Sequence, residues 1–293
     1  MGADRYVTAV ESVAREKLRG LRVILAQNVP LLIAYSGGVD STFLLAEASA
    51  TLGDHVLGII ADSPSLPRAA LSSALANAKS FGANVEIMAT AELSDPRYSS
   101  NPVNRCYFCK LELFTKMQQV AAERGFAALA YGENADDAFQ VRPGAGAAQE
   151  FRVLAPLRIA GLTKAEIRFL SRQRSLPTAD SPAQPCLSSR IPHGTAVTSD
   201  ALAMIERSEE YVRSQGFKVF RVRYLACNGE GPVAKLQVDP DEMEKLPSRE
   251  KAIQEALLAI GFRHLVIDPD GYRAPAPRGS LNICFDPTAS LSY

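Results

Sequence analysis

Two stretches of the chain carry residue types and spacings that could do chemistry. In Ser36-Gly37-Gly38-Val39-Asp40-Ser41-Thr42, two glycines, three hydroxyl side chains and a carboxylate fall within seven positions. Paired glycines let the backbone turn tightly with its N–H groups converging on one point, and a helix that follows adds the positive end of its dipole. Such a loop suits a phosphate. The hydroxyls of Ser36, Ser41 and Thr42 add donors, and Asp40 suits Mg²⁺ or its bound waters. The loop has no lysine, so it is not the Gly-x4-Gly-Lys-Ser/Thr loop of ordinary NTPases. A chance match to its five fixed positions is about one in a million per site, which outweighs the plainer reading of a serine-capped helix after a glycine turn.

The second stretch is sulfur. Cys106-Tyr107-Phe108-Cys109-Lys110 contains a Cys-x2-Cys pair, and a third cysteine opens Cys186-Leu187-Ser188-Ser189-Arg190. A Cys-x2-Cys pair can chelate a metal, run dithiol chemistry or merely fill space. Three cysteines leave a tetrahedral site one ligand short. That suits a 4Fe–4S cluster with one open iron, or a zinc site completed by His193 or water; His193 on its own reads as a loop residue. Lys110 and Arg190, beside the cysteines, would lower a thiol pKa and attract an anionic substrate, or stand as solvated charges. Cys227 and Cys284 fall in or near apolar stretches and read as buried or incidental.

The elements that must position these residues follow from periodicity. Tyr6–Gln27 carries Val10, Val13, Leu18, Leu21, Ile24 and Leu25 at helical spacing. Leu31–Tyr35 is a continuous apolar run of the kind a central parallel strand shows. The phosphate loop follows it, then a helix over Thr42–Leu52 stopped by Gly53. The pattern repeats with a strand at Val56–Ala61, a helix at Arg68–Phe81, a strand at Val85–Met88, a helix at Cys106–Glu123 and a strand at Ala127–Tyr131. Strands alternating with helices imply βαβ units in a parallel sheet covered on both faces. Asn134 to Glu150, polar and Gly/Ala-rich, reads as a loop. Thr163–Arg174 reads as a helix with a Thr163/Glu166 capping box.

Ser175 to Gly194 holds four prolines and marks the expected domain boundary, giving residues 1–194 and 195–293. The smaller unit reads as a helix over Ser199–Gln215 capped by Thr198 or Ser199, strands at Lys218–Leu225 and Val233–Val238, a helix at Arg249–Leu258 and a strand at His264–Ile267. Arg221-Val222-Arg223-Tyr224 places both arginines on one strand face. Guanidinium donors there suit a phosphate or carboxylate, or a solvated face with a salt bridge to the preceding helix.

Composition bounds the rest. The chain has 293 residues, 47% of them apolar, and 32 basic side chains against 32 acidic, which argues against a general polyanion binder. No apolar run approaches the ~20 residues of a membrane span. No cationic segment leads into an apolar one at the start, so no export signal is visible. Five cysteines in this length do not make a secreted disulfide scaffold, and the cytoplasm is the expected compartment.

The Ser36–Thr42 segment resembles the PP-loop of the ATP pyrophosphatase superfamily. That resemblance implies a doubly wound parallel sheet and cleavage of ATP between its α and β phosphates. AMP passes to an oxygen of a carboxylate or amide-like group, and a nitrogen or sulfur nucleophile then displaces it. It also implies adenosine contact at Asp62 and Ser63, with Gly132-Glu133-Asn134-Ala135-Asp136-Asp137 lying where family acids approach Mg²⁺ and phosphate. Asp136 and Asp137 read equally well as a turn and helix cap.

With Asn104-Arg105-Cys106-Tyr107-Phe108-Cys109-Lys110, Arg142-Pro143-Gly144, Pro156-Leu157 and the run from Cys186 to Gly194, the resemblance becomes specific. Together these are similar to the ATP-dependent sacrificial sulfur transferase family, LarE, over nearly the whole chain. The family sulfurates pyridinium-3,5-biscarboxylic acid mononucleotide on the way to the nickel-pincer cofactor of lactate racemase. The resemblance implies two sulfur sources. In some members the cysteine matching Cys186 is itself the donor and is left as dehydroalanine. Members with the Cys-x2-Cys pair hold a 4Fe–4S cluster on three cysteines, and a sulfide on the open iron is the donor. With all three present, Cys106, Cys109 and Cys186 are expected as cluster ligands. Glu209, Arg221 and Arg223 match family positions near the substrate or metal, and Arg190, beside Cys186, is expected to bind the substrate with them.

The implied cofactors are ATP, Mg²⁺ and the cluster. The implied partner is a small pyridinium nucleotide, with a homo-oligomer and neither nucleic acid nor membrane. A tRNA thiolase would normally bring a basic surface. An ammonia-using synthetase of the NAD or GMP type would leave the cysteines without a task. A metal- or nucleotide-binding regulator is the non-enzymatic alternative.

Overall fold

The computed structural model describes residues 2–139, 143–182, 184–227 and 231–272. Arg142 and Cys284, singled out above, lie outside the described residues. The chain divides into two compact units, Met1–Tyr98 with Asn104–Pro185, and Ser99–Val103 with Cys186–Tyr293.

The first unit runs α1 (Gly2–Ala26), β1 (Leu31–Ala34), α2 (Val39–Leu52), β2 (Val56–Asp62), α3 (Arg68–Ser80), β3 (Val85–Ala89) and the one-turn α4 (Pro96–Ser99). It continues with α5 (Arg105–Arg124), β4 (Ala128–Tyr131), α6 (Pro143–Glu150), the one-turn α7 (Pro156–Ile159) and α8 (Lys164–Gln173). Its four strands are all parallel, in the order β3-β2-β1-β4. The chain therefore starts mid-sheet, steps outward to β3, and returns to the other side of β1 for β4. The loops leaving β1 and β4 diverge at that reversal, which is where open α/β sheets bind ligands.

Side chains alternate across β1. Leu31 and Ile33 join Leu21, Leu25, Phe43 and Ile167 in one core. Leu32 turns the other way, to Phe114 and Met117. Helices thus cover both faces, and the expected doubly wound parallel sheet is present.

Two local expectations change. Among the described side chains of α1, Ala14, Leu21 and Leu25 are buried while Val13 is half exposed; the side chain of Val10 lies outside the described ones. The loop expected over Asn134 to Glu150 contains helix α6. Its glycines looked like loop residues because they carry no apolar period. One of them, Gly144, meets α5 closely: a Cβ there would lie 2.7 Å from Lys110 Cδ.

In the second unit, α9 (Ser199–Ser214) precedes β5 (Phe220–Cys227), β6 (Gly231–Val238), α10 (Glu250–Ile260) and β7 (His264–Ile267). The sheet order is β5-β6-β7, antiparallel then parallel. Its core gathers Val212, Phe217, Val222, Leu236, Ile253 and Leu257. Asn101 joins this unit from a distant part of the sequence. It is fully buried at φ +56°. Its amide donates to the carbonyls of Pro192 and Thr195, both at 2.8 Å, and its own carbonyl accepts from Gly194 N–H at 3.0 Å. Among the described residues no helix is long and apolar enough to cross a membrane.

Candidate active site

The phosphate loop sits between the end of β1 and the start of α2. Gly37 has φ +74°, and a Cβ there would lie 2.6 Å from Ala74 Cβ, so only glycine fits. Ser41 Oγ accepts from Ser36 N–H at 3.2 Å, lies 3.0 Å from Ser36 Oγ, and donates to Gly38 O at 3.2 Å. These bonds close the loop on itself. Gly38 is the N-cap of α2 and offers no side chain to cap it, which leaves the start of the helix to an anion. Thr42, expected as a phosphate donor, is fully buried.

The loop after β4 presses against this turn. A Cβ at Gly132 would lie 2.8 Å from Ser41 N and 2.9 Å from Ser41 Cα. Glycine is needed there for close approach rather than for a turn.

Asp40 occupies the joint. Its Oδ2 accepts from Lys164 Nζ at 2.7 Å and from Asn134 Nδ2 at 3.3 Å, while Oδ1 is buried without a partner. Asp136 Oδ2 accepts from Lys164 N–H at 2.8 Å, and Asp137 Oδ2 from Asn134 N–H at 3.2 Å. The Asp pair thus engages backbone N–H groups, as turn and cap residues do. Among the described residues no three His, Cys, Asp or Glu side chains gather around one metal position. Mg²⁺ needs no such cage. One carboxylate oxygen, here Asp40 Oδ1, together with substrate phosphates and water, is a fitting donor set.

Asp62 pairs with Arg68 Nη1 at 2.6 Å, and Arg68 Nη2 donates to Ser63 O at 2.8 Å, so one arginine fixes both expected adenosine contacts. Lys110 lies with Nζ 4.5 Å from the centre of the Tyr131 ring, at the end of β4. A Cβ at Gly144 would lie 2.7 Å from Lys110 Cδ, which gives the glycine after Pro143 a physical reason.

Cys106 and Cys109 stand three apart in the first turn of α5, Cys106 exposed and Cys109 half-buried, so their thiols share a helix face. Cys186 is exposed and caps the single turn Leu187–Arg190 in the second unit. Three thiols, two of them on one helical turn, have the chemistry of iron–sulfur ligands.

Close to Cys186 in the chain, Arg190 forms a bidentate pair with Glu209 (Nε–Oε1 2.8 Å, Nη2–Oε2 2.9 Å), and its Nη1 donates to Cys186 O at 3.2 Å. Glu209 Oε1 also accepts from Val222 N–H at 3.1 Å, tying the pair to β5. Arg221 is only 4% exposed, and its guanidinium carbon is 4.9 Å from the Tyr272 ring centre. Arg223 Nε donates to Gln237 at 2.7 Å. Among the described residues neither Arg221 nor Arg223 has a carboxylate at ion-pair distance. Burial first, then the charges of Arg190 and Arg223, hold Arg221 below the usual arginine range; burial and Arg190 do the same to Arg223. Guanidinium stays charged regardless, so this pair of cations is offset only at longer range, Arg221 by Glu209 and Arg223 by Asp268. Glu209 of the preceding helix thus pairs with Arg190, and the alternative reading of a helix-to-strand salt bridge to Arg221 or Arg223 is not met among the described residues.

Sequence reasoning missed Lys164 and Asn101. Lys164 carried a signal: it is a cation in the first turn of a helix, where the dipole disfavours it. Asn101 carried none, because its partners lie some ninety residues away.

A doubly wound parallel sheet with a phosphate loop at its reversal, followed by a small mixed-sheet unit, is the architecture of a PP-loop protein. No family model matches the chain. It is 37% identical over 268 residues to an uncharacterized protein of Synechocystis sp., covering 91% of this chain and 97% of that one. It is 30% identical over 243 residues to pyridinium-3,5-bisthiocarboxylic acid mononucleotide synthase of Lactiplantibacillus plantarum, covering 83% of this chain and 86% of that one. An uncharacterized protein of Methanocaldococcus jannaschii is 26% identical over 251 residues, 85% of this chain and 92% of its own. The chain belongs to the pyridinium-3,5-bisthiocarboxylic acid mononucleotide synthase (LarE) family.

Proposed function

We propose that this chain is an ATP-dependent sulfur transferase that converts a carboxylate of pyridinium-3,5-biscarboxylic acid mononucleotide to a thiocarboxylate, for the nickel-pincer cofactor. The observation that carries the reading is the phosphate loop, self-bonded, uncapped at α2 and joined to Asp40. A carboxylate is a poor acyl donor because oxide is a poor leaving group. Its oxygen attacks the α-phosphorus of ATP and pyrophosphate leaves. A sulfur nucleophile then attacks the acyl carbon of the adenylate, and AMP departs with the original carboxylate oxygen.

The chain's residues divide these tasks. Ser36, Gly37, Gly38, Ser41 and the start of α2 stabilise the charge on the departing pyrophosphate. Asp62, Ser63 and Gly132 border the adenosine, and Thr42 supports the loop from beneath. Asp40 holds Mg²⁺ through Oδ1, with Asp136 and Asp137 fixing the neighbouring backbone. Lys110 draws the anionic substrate toward the end of β4. Arg221 and Arg223, oriented by the Arg190–Glu209 pair, take its phosphate or second carboxylate. Cys106, Cys109 and Cys186 are the residues of the sulfur chemistry. A 4Fe–4S cluster on these thiols would supply sulfide as the nucleophile; without one, Cys186 itself is the donor. The first unit would carry the nucleotide, and the second the substrate or the oligomer contacts, of a cytoplasmic homo-oligomer that binds neither nucleic acid nor membrane.

The test is pyrophosphate release from MgATP on adding the pyridinium dicarboxylate. Substrate-dependent release should fall at least about a hundredfold in Asp40→Asn. Release that is indifferent to substrate, or full activity in Asp40→Asn, contradicts the reading.

A further inference from the structure

Helix α6 ends in a turn that suits glycine, and the residue there is an arginine. Arg152 N–H donates to Gln149 O at 3.0 Å and Val153 N–H to Ala148 O at 2.8 Å, the paired bonds of a Schellman cap. The cap holds Arg152 at φ +51°, in the left-handed region. Gly82, Gly125 and Gly216 take the same place after α3, α5 and α9, and the short Ser175 after α8. A long side chain there carries backbone strain that glycine would avoid. Such a conflict between residue type and local conformation marks a position kept for its side chain.

That side chain lines a cavity of about 350 Å³ at the end of β4, together with Tyr131, Glu133, Gln149, Arg158 and an apolar wall that includes Val153. The volume is that of a small-molecule site. Gly132, between two of the lining residues, is the residue that meets the phosphate loop at Ser41. The other polar groups of the wall satisfy one another. Arg158 Nε binds Glu133 Oε2 at 3.0 Å. Burial first, then the hydrogen bond to Glu133, push the Tyr131 phenol above its usual range, so it stays a neutral donor to that carboxylate. Arg152 differs. Among the described residues its guanidinium has no hydrogen bond, ion pair or ring contact. An aromatic and apolar wall suits a flat ring, and an unpaired guanidinium at its edge suits a carboxylate carried on that ring.

We infer that this cavity seats the pyridinium ring of the substrate, with Arg152 binding the ring carboxylate that is not being adenylated. This rests on the adenylation reading above, and of the two groups offered there to Arg221 and Arg223 it leaves the phosphate. Arg152→Gly tests it in the intact chain, because glycine fits the turn and only the side chain is lost. Calorimetric titration should show about tenfold or more weaker binding of the pyridinium dicarboxylate mononucleotide. Affinity for the same mononucleotide without ring carboxylates should stay within about twofold, and the melting temperature should hold or rise. Arg152→Asn, which also tolerates the left-handed region, should show the same selective loss. Unchanged dicarboxylate affinity overturns the inference, and so does an equal loss for both mononucleotides. The two readings separate in the parent protein. If it releases pyrophosphate but the Arg152 variants bind the dicarboxylate normally, only the arginine assignment fails; if it binds no dicarboxylate mononucleotide, both fail.

Discussion

At the scale of the residue, the telling groups are those whose environment is costly without a ligand. Arg221 is buried beside two other arginines and has no carboxylate partner among the described residues. Burying an unpaired charge costs several kcal/mol. Arg221→Met, which keeps the stem and removes the charge, should therefore raise thermal stability, by up to about 1–4 kcal/mol. The same variant should raise the KM for the pyridinium nucleotide about tenfold or more. Melting curves beside steady-state kinetics check this, and a destabilised variant with unchanged KM would show that Arg221 is structural. The phosphate loop was legible in the sequence because Ser36, Gly37, Gly38, Asp40 and Ser41 form a local combination with few rival uses. Lys164 was not, because the acid that explains it lies far away in the chain.

At the scale of the element, position follows from close packing. Gly132 was legible only as a residue after a strand, yet it sets how closely the β4 loop meets α2. Gly132→Ala would place a Cβ 2.8 Å from backbone nitrogen of Ser41, where no flexible side chain can yield. The two loops must part, so the variant should lose about 1–3 kcal/mol of stability and most of its pyrophosphate release. Denaturant titration and the release assay report this; an active variant of full stability would mean the loops are not held together. Strands β1 to β4 were readable from apolar runs bounded by glycine, and α8 from its capping box. Helix α6 was not, because its glycines make no apolar stripe, and Gly144 instead lies close to the Lys110 side chain. The exposure of Val13 in α1 has a related cause: periodicity gives a face, and only packing decides how wide it is.

At the scale of the whole molecule, the equal counts of acid and base conceal local imbalance. Net charge is zero, yet near β5 the three guanidinium groups of Arg190, Arg221 and Arg223 stand with Glu209, which Arg190 binds, and Asp268, which reaches Arg223 only through Gln237. The family likeness spans both units, with 86% and 97% of two relatives covered, so it is a likeness of the whole chain rather than of the nucleotide fold alone. The cysteines divide likewise, Cys106 and Cys109 in the first unit and Cys186 in the second. Composition pointed away from nucleic acid, but it could not reveal the arginine pair, because burial of a charge is a property of the fold.

The central claim is that a substrate carboxylate receives AMP before sulfur replaces it. Its most direct measurement is isotopic. Pyridinium dicarboxylate labelled with heavy oxygen in its carboxylates is turned over with MgATP, and the nucleotide product is analysed by mass spectrometry. The account predicts AMP carrying one heavy oxygen for each sulfur inserted. Unlabelled AMP, or ADP in its place, would contradict it.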